Sequence, residues 1–492
     1  MASIELTADL AELLADSHTL VVMARKADLV DGWPVAGLPQ AVRDAVARLA
    51  ADAKAGSGAV SSLLPEGAGP RSLAVVALHD TVSRHLSETR SYEIHQQLKG
   101  IARAEGGKVG VLLGIADPAH ALGALLGVVR SYPLYSRKSG NKNGTGQVRV
   151  ALQTRQGLVK DGFEQLGHGR DAVRLAQRLV DMPTAELDTE TFEQEVRASV
   201  QGIAHVTVES LVGDDLLVHG LRGLHAVGRT AMLPPRLVIL DYAPPKAANG
   251  PAQRETIALI GKGLVYDTGG LSLKIVGDRM LTMKCDMGGA AAVLGAFLML
   301  ARGGHNGRVI AALAMAENAI GPNAYRPDDV IEMHSGKTIE INNTDAEGRI
   351  ALADGASYIA RRFKTKVVID AATLTGAQLV ATGKWHAGIV TNDADLETRA
   401  LRAGLESGDH CMPLLYSPEL HTSEFKSTVA DMRNSVADRN NASSSASGLW
   451  VYLHLDDLDL RWLHIDLAGP AFLDNRGTGY GVGLIHALVA DL

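Results

Sequence analysis

The sequence predicts an α/β protein in two parts: a smaller N-terminal α/β domain over residues 1–165 and a larger C-terminal domain over 181–492 with a mainly parallel central sheet, joined by a linker helix at 166–180. Three observations predict this. The chain has 492 residues, and a single hydrophobic core stops growing at roughly 250–300. Short apolar runs alternate with helical patterns along its whole length, the signature of sheets covered by helices. A helical pattern from about Gly169 to Val180 runs into Met182-Pro183-Thr184, which ends it and marks the junction.

In the first part, Leu20–Ala24, Ser72–Leu78 and Val109–Gly114 read as strands, and Ala41–Ala51 and Ala119–Val129 as helices. The Gly- and Asn-rich stretch from Ser139 to Gly146 reads as an exposed loop. In the second part, Leu237–Leu240, Ile257–Ile260, Val309–Met315, Thr338–Ile341, Val367–Ile369 and Leu463–Ile465 are strand candidates. Ala290–Ala301 and Ile350–Arg362 are helical, and the Ser-rich Asn440–Gly448 reads as a loop leading into a helix. Ligands in such sheets bind at the carboxyl ends of the strands.

Composition narrows the function. Hydrophobic residues make up 46% and charged residues 21%, as in ordinary globular proteins, and only 4% are aromatic, so the packing is aliphatic. A net charge of -7 sets up no general attraction to nucleic acid or an anionic membrane. Arg137, Lys138 and Lys142 lie among Gly and Asn and read as a solvated loop. Two distant cysteines, Cys285 and Cys411, form no disulfide framework and suit a reducing compartment. The N-terminus lacks the pattern of a secretion signal, and no apolar stretch is expected to reach the ~20 residues that span a bilayer. The expected location is therefore cytoplasmic, and the glycosylation-like triplets at Asn342 and Asn441 are read as chance matches.

The chemistry lies just beyond the strands of the second part. After Ile257–Ile260 come Gly261-Lys262-Gly263, then Asp267-Thr268-Gly269-Gly270 and Lys274. Met283-Lys284-Cys285-Asp286 leads into an apolar helix, Asn343-Thr344-Asp345-Ala346-Glu347-Gly348-Arg349 into another, and Asp370-Ala371-Ala372-Thr373-Leu374-Thr375-Gly376 comes after Val367–Ile369. Taken singly these are weak signals. Asp267-Thr268-Gly269-Gly270 is a turn sequence, Gly261-Lys262-Gly263 lacks the spacing of a phosphate loop, and Asp345 and Glu347 could be ordinary acids at a helix N-terminus. Together they send Asp267, Asp286, Asp345 and Glu347 to one sheet edge. Four carboxylates there repel one another unless cations compensate, and oxygen-rich ligation suits Mg²⁺, Mn²⁺ or Zn²⁺.

The run Asn343 to Arg349 resembles the signature of the leucyl aminopeptidase family, two-metal hexameric exopeptidases. The blocks Gly261 to Lys274, Asp286 to Ala291 and Ala372 to Gly376 match in the same order, and Asp181 to Leu187 resembles the entry to that family's catalytic domain. Asp431 to Asp438 and Gly477 to Gly483 look most like the branch usually called "probable aminopeptidase". The resemblance covers roughly Asp181 to the C-terminus and implies a cytoplasmic enzyme acting on peptide substrates with two divalent ions, Mn²⁺ or Zn²⁺. One ion would be held by Lys262, Asp267, Asp286 and Glu347, the other by Asp267, Asp345 and Glu347. A lysine ligand must be neutral, and metal binding can displace its proton. Lys274 would stay protonated and stabilise the oxyanion, and Arg349 would hold a bicarbonate ion acting as general base. Thr373 and Leu374 would offer backbone groups to substrate, and Met283 would line the first side-chain pocket. Ala471 stands where better-known members place a Met, which puts leucine preference in question. The resemblance also implies a homohexamer. A phosphatase-like two-metal hydrolase would usually add histidines, and none of the 17 falls in these motifs. A nucleic-acid-binding role with minor peptidase activity is the alternative; the net charge and the intact ligand set argue against it.

Overall fold

The computed structural model describes residues 2–67, 69–99, 101, 107–139, 146–245, 254–275 and 280–492. The chain divides into two compact units, Met1–Arg174 with Gly404–His410, and Leu175–Ala403 with Cys411–Leu492. The division falls inside the helix Phe163–Asp181. Most of the loop expected between Ser139 and Gly146, including Lys142, lies outside the described residues.

The first unit holds β1 (Ala2–Leu6), β2 (Thr19–Arg25), β3 (Ala59–Leu63), β4 (Ser72–Leu78), β5 (Lys108–Gly114), β6 (Gly146–Thr154) and β7 (Gly157–Leu158). They form one sheet in the order β1-β6-β5-β2-β4-β3, with β7 paired to β6. Its inner strands run parallel, and the antiparallel pairs β3/β4 and β6/β7 lie outside them. Val21, Val22 and Met23 on β2 and Val75 and Val76 on β4 are fully buried, as expected of strands covered on both faces.

The second unit holds β8 (Val206–Val212), β9 (Arg236–Tyr242), β10 (Arg254–Asp267), β11 (Gly307–Asn318), β12 (Val330–Glu332), β13 (Thr338–Glu340), β14 (Val367–Ala372), β15 (Ala387–Thr391), β16 (Cys411–Pro413), β17 (Met432–Arg433) and β18 (Arg461–Asp466). Eight of them form the main sheet, in the order β16-β15-β18-β14-β10-β11-β9-β8. The central strands β18, β14, β10 and β11 are parallel. The pairs β15/β18, β9/β11 and β8/β9 are antiparallel, which alternation of strands and helices does not foretell. The short strands β12, β13 and β17 form a separate sheet.

Two helices seat the site. α1 (Gly288–Arg302) is buried from Gly288 to Ala301, and α2 (Glu347–Phe363) from Glu347 to Ala360. α1 corrects one expectation: Met283–Arg302 does have the length and composition to cross a bilayer. It is 89% buried among the other elements, so its apolar surface is used as a core helix. It docks closely because Gly261 and Gly289 carry no side chain. A Cβ on Gly261 would sit 2.5 Å from the Ala290 Cα, and one on Gly289 would overlap the Ala371 carbonyl oxygen.

This packing revises the reading of Gly261-Lys262-Gly263. The sequence places them just beyond a strand ending at Ile260, yet β10 continues to Asp267, and the glycines mark close approach of neighbours. Asp370 likewise lies inside β14 rather than after it. The Ser-rich stretch enters α3 (Ser443–Tyr452), which buries Ser444, Ser445 and Ser447.

Candidate metal centre

Lys262 and Asp267 both project from β10, five residues apart. On a regular strand an odd spacing puts two side chains on opposite faces. The register with β11 shifts between Leu264 and Tyr266, so Lys262 pairs with Ala314 and Asp267 with Asn318, four residues apart on the partner strand. The bulge at Val265 therefore returns Asp267 to the face of Lys262. Asp286 arrives from the turn before α1, and Glu347 opens α2 two residues after Asp345.

These elements bring the predicted acids and lysines together. The Lys262 Nζ lies 2.8 Å from Asp286 Oδ2 and 3.1 Å from Glu347 Oε1, and donates to the Thr373 carbonyl at 3.1 Å. The Lys274 Nζ lies 2.8 Å from Asp267 Oδ2 and also pairs with Asp345 Oδ1. Oxygens of Asp267, Asp345 and Glu347 fall within 4.8 Å of one another. Gly348 makes room for the lysine, since a Cβ there would sit 2.6 Å from the Lys262 Cε and Nζ. Thr373 Oγ1 donates to Asp286 Oδ1 at 2.8 Å, and the Gly269 N–H donates to Asp267 Oδ1 at 2.8 Å.

Burial and mutual repulsion set the electrostatics. Burial, then the charges of Glu347 and Asp286, push Asp267 up to about 8. Burial pushes Asp286 up to about 6, with Lys262 opposing, and raises Asp345 as well. Burial also acts on Glu347, but Lys262 and Lys274 outweigh it and hold this acid below its ordinary value. Both lysines are raised, because the surrounding carboxylates outweigh the cost of burial. With carboxylates alone around it, Lys262 is thus an ammonium, and a donor role toward metal requires a cation to replace its proton.

The residues fit divalent cations on this structure's own terms. Four largely buried carboxylates meet only two ammonium groups, so the cluster is short of positive charge, and three of the acids lie close enough to share one ion. A second feature suits an anion. Arg349 is 7% exposed, its Nη2 donates to Ser447 Oγ at 2.9 Å, and its Nε and Nη1 are buried without a hydrogen-bond partner. Burial pushes this guanidinium down to about 10.

The remaining predicted residues lie alongside. A Cβ on Gly288 would stand 3.2 Å from Thr373 Cγ2 and 3.3 Å from the Ala471 Cβ, so these three positions adjoin. Met283 is half-buried in the turn that leads to Asp286. The Leu374 N–H donates to Asp466 at 3.1 Å, an acid that also accepts from Thr375 Oγ1 at 2.6 Å and Ser444 Oγ at 3.0 Å and so ties β14, β18 and α3 together. Sequence reasoning passed over Asp466 as a hub. It also passed over Asn318, which ends β11 and donates to Asp267, and Tyr325, whose hydroxyl donates to the Thr344 carbonyl at 2.6 Å. The one signal available for Asn318 was an amide directly after an apolar strand.

An acid cluster with too few lysines to balance it, on the strand ends of an α/β sheet, fits a metal-dependent hydrolase. Residues 174–486 match the catalytic domain of the cytosol aminopeptidase family, and the chain belongs to that family: it is a leucyl-type metallo-aminopeptidase, a hydrolase acting on peptides. Probable aminopeptidase NPEPL1 of Homo sapiens is 40% identical over 422 residues, 84% of this chain and 79% of that relative. Among solved structures, leucyl aminopeptidase from Leishmania major in complex with actinonin is 35% identical with a TM-score of 0.91, covering 99% of this chain and 94% of that one. The bottromycin maturation enzyme BotP in complex with Mn is 27% identical with a TM-score of 0.75, covering 97% of this chain and 99% of that one.

Proposed function

We propose that this aminopeptidase works with two divalent ions, Mn²⁺ or Zn²⁺, held by Lys262, Asp267, Asp286 and Glu347 on one side and by Asp267, Asp345 and Glu347 on the other. The observation that carries this is the convergence of three acids within 4.8 Å, with the fourth acid on Lys262. The Mn named with the related BotP structure supports the choice of metal. When bound, the ions would lower the pKa of the attacking water, polarise the scissile carbonyl and receive the free α-amine that restricts cleavage to N-termini.

The chain's own residues do the rest. Lys274 keeps its proton in this acidic setting and carries a positive charge to the carbonyl oxygen as that oxygen becomes an oxyanion. Arg349, with Nε and Nη1 free of protein partners, would hold a bicarbonate, which would supply the general base. The backbone at Thr373 and Leu374 lies along the substrate, and Met283, Thr373 and Ala471 border the first side-chain pocket. The small Ala471 leaves that pocket room for residues other than leucine, so the profile is not sharply leucine-selective.

The family resemblance supports a cytoplasmic homohexamer, which sedimentation of the purified chain would test against a stable active monomer. The activity itself is tested on a panel of aminoacyl-p-nitroanilides. Exhaustive dialysis against chelator should abolish hydrolysis, and Mn²⁺, Zn²⁺ or Co²⁺ should restore it. Full activity in protein shown by metal analysis to hold no ion would overturn the proposal.

A further inference from the structure

We propose that Asn318 is a positioning residue of the metal centre, whose side-chain amide fixes one oxygen of Asp267 so that the other is presented to the ions. The inference rests on the reading of Asp267 as a ligand. Asn318 is fully buried at the end of β11, in register with Asp267 on β10. Its Nδ2 donates to Asp267 Oδ1 at 2.8 Å and to the Thr344 carbonyl at 3.0 Å, and stands 3.5 Å from Glu347 Oε2. Its Oδ1 has no hydrogen-bond partner and faces Gly270, where a Cβ would approach to 2.9 Å. All the acceptors lie on one side of the amide, so its chemistry fixes which end carries the hydrogens.

The oxygens divide accordingly. Asp267 Oδ2, the oxygen that Asn318 does not hold, is the one that meets Lys274. The lysine contact can give way when cations arrive. The amide is neutral at every working pH and cannot compete for a cation's place. It also joins two segments at once: β10 through Asp267, and the backbone just before Asp345. A purely structural cap of β11 would need only the Asn318 backbone, whose carbonyl accepts from the Thr268 N–H at 3.1 Å whatever the side chain.

The experiment titrates Mn²⁺ calorimetrically into chelator-stripped, full-length wild type, Asn318→Ala, Asn318→Leu and Tyr325→Phe, with the metal-free Tm of each. Tyr325→Phe is the control, because it also loses a bond to the Thr344 carbonyl but removes no hydrogen bond to an acid. Loss of a partner that orients metal ligands typically weakens metal binding about 10–100-fold. Both Asn318 variants should show that loss, and Tyr325→Phe should keep wild-type affinity. Equal affinities in wild type and both Asn318 variants, or an equal loss in all three variants, would overturn the inference. So would Asn318 variants that fail to fold even with saturating Mn²⁺, since the amide would then belong to the fold. A wild type that takes up no Mn²⁺ would overturn the reading of the site itself.

Discussion

Lys262 and Lys274 are both ammonium groups buried among acids, yet they sit differently. Lys262 is 3% exposed on the strand, between Asp286 and Glu347, while Lys274 is 15% exposed beyond a turn, between Asp267 and Asp345. The more enclosed lysine is assigned to an ion and the more open one to the substrate's oxyanion. Lys262→Ala should therefore lose one bound ion, and activity with it. Lys274→Ala should keep both ions and lower kcat by about 10²–10³, the usual cost of removing an oxyanion donor, with KM changing less. Metal content beside steady-state kinetics separates the two, and the reverse pattern would exchange their roles. The acids were legible at this scale because each comes after an apolar run or opens a helix. Asn318 was not, because nothing in one amide after a strand announces which acids its neighbour strand will bring beside it.

At the scale of elements, the site depends on how β10 runs. Gly261-Lys262-Gly263 reads as lying beyond a strand, and the packing of α1 against the sheet explains why it is strand. The bulge at Val265, which sets Lys262 and Asp267 on one face, leaves no composition signal, since β-branched residues suit regular strands as well. Two glycines near the site make different demands. Gly289 faces the Ala371 backbone, which cannot yield. Gly289→Ala should cost about 1–3 kcal/mol or more in chemical denaturation, as overpacking does. The atoms nearest to Gly348 are the flexible end of Lys262. Gly348→Ala should lower the denaturation midpoint less than Gly289→Ala does, but push Lys262 off Asp286 and Glu347 and lower metal content. Equal stability losses in the two variants would contradict this assignment. The antiparallel strands at the sheet's margins were also beyond sequence reading, because short apolar runs carry no direction.

For the whole molecule, the main consequence is a link between metal, protons and stability. Burial and like charges raise Asp267 to about 8 and Asp286 to about 6, above their ordinary carboxylate value of 3.8. At these two sites the metal-free fold binds protons that the unfolded chain releases, so their contribution to its stability is fully present below about 3.8 and is lost as pH rises from there through about 6 to about 8. Divalent ions compete with those protons and reverse the trend. The rise in Tm on adding Mn²⁺ should therefore grow from pH 6 to pH 8, and a rise independent of pH would contradict the linkage. The two-part α/β architecture was legible from length and alternation. The assignment of Gly404–His410 to the first unit was not, because that return of the chain is a tertiary fact without a local pattern.

The central claim is that the acid cluster holds two ions and that both are needed for peptide hydrolysis. The most direct measurement adds Mn²⁺ stepwise to chelator-stripped protein while metal content and aminopeptidase rate are followed together. The account predicts binding that saturates at two ions per chain, with full activity reached only as the second site fills. Saturation at one ion with full activity, or full activity with none bound, would contradict it.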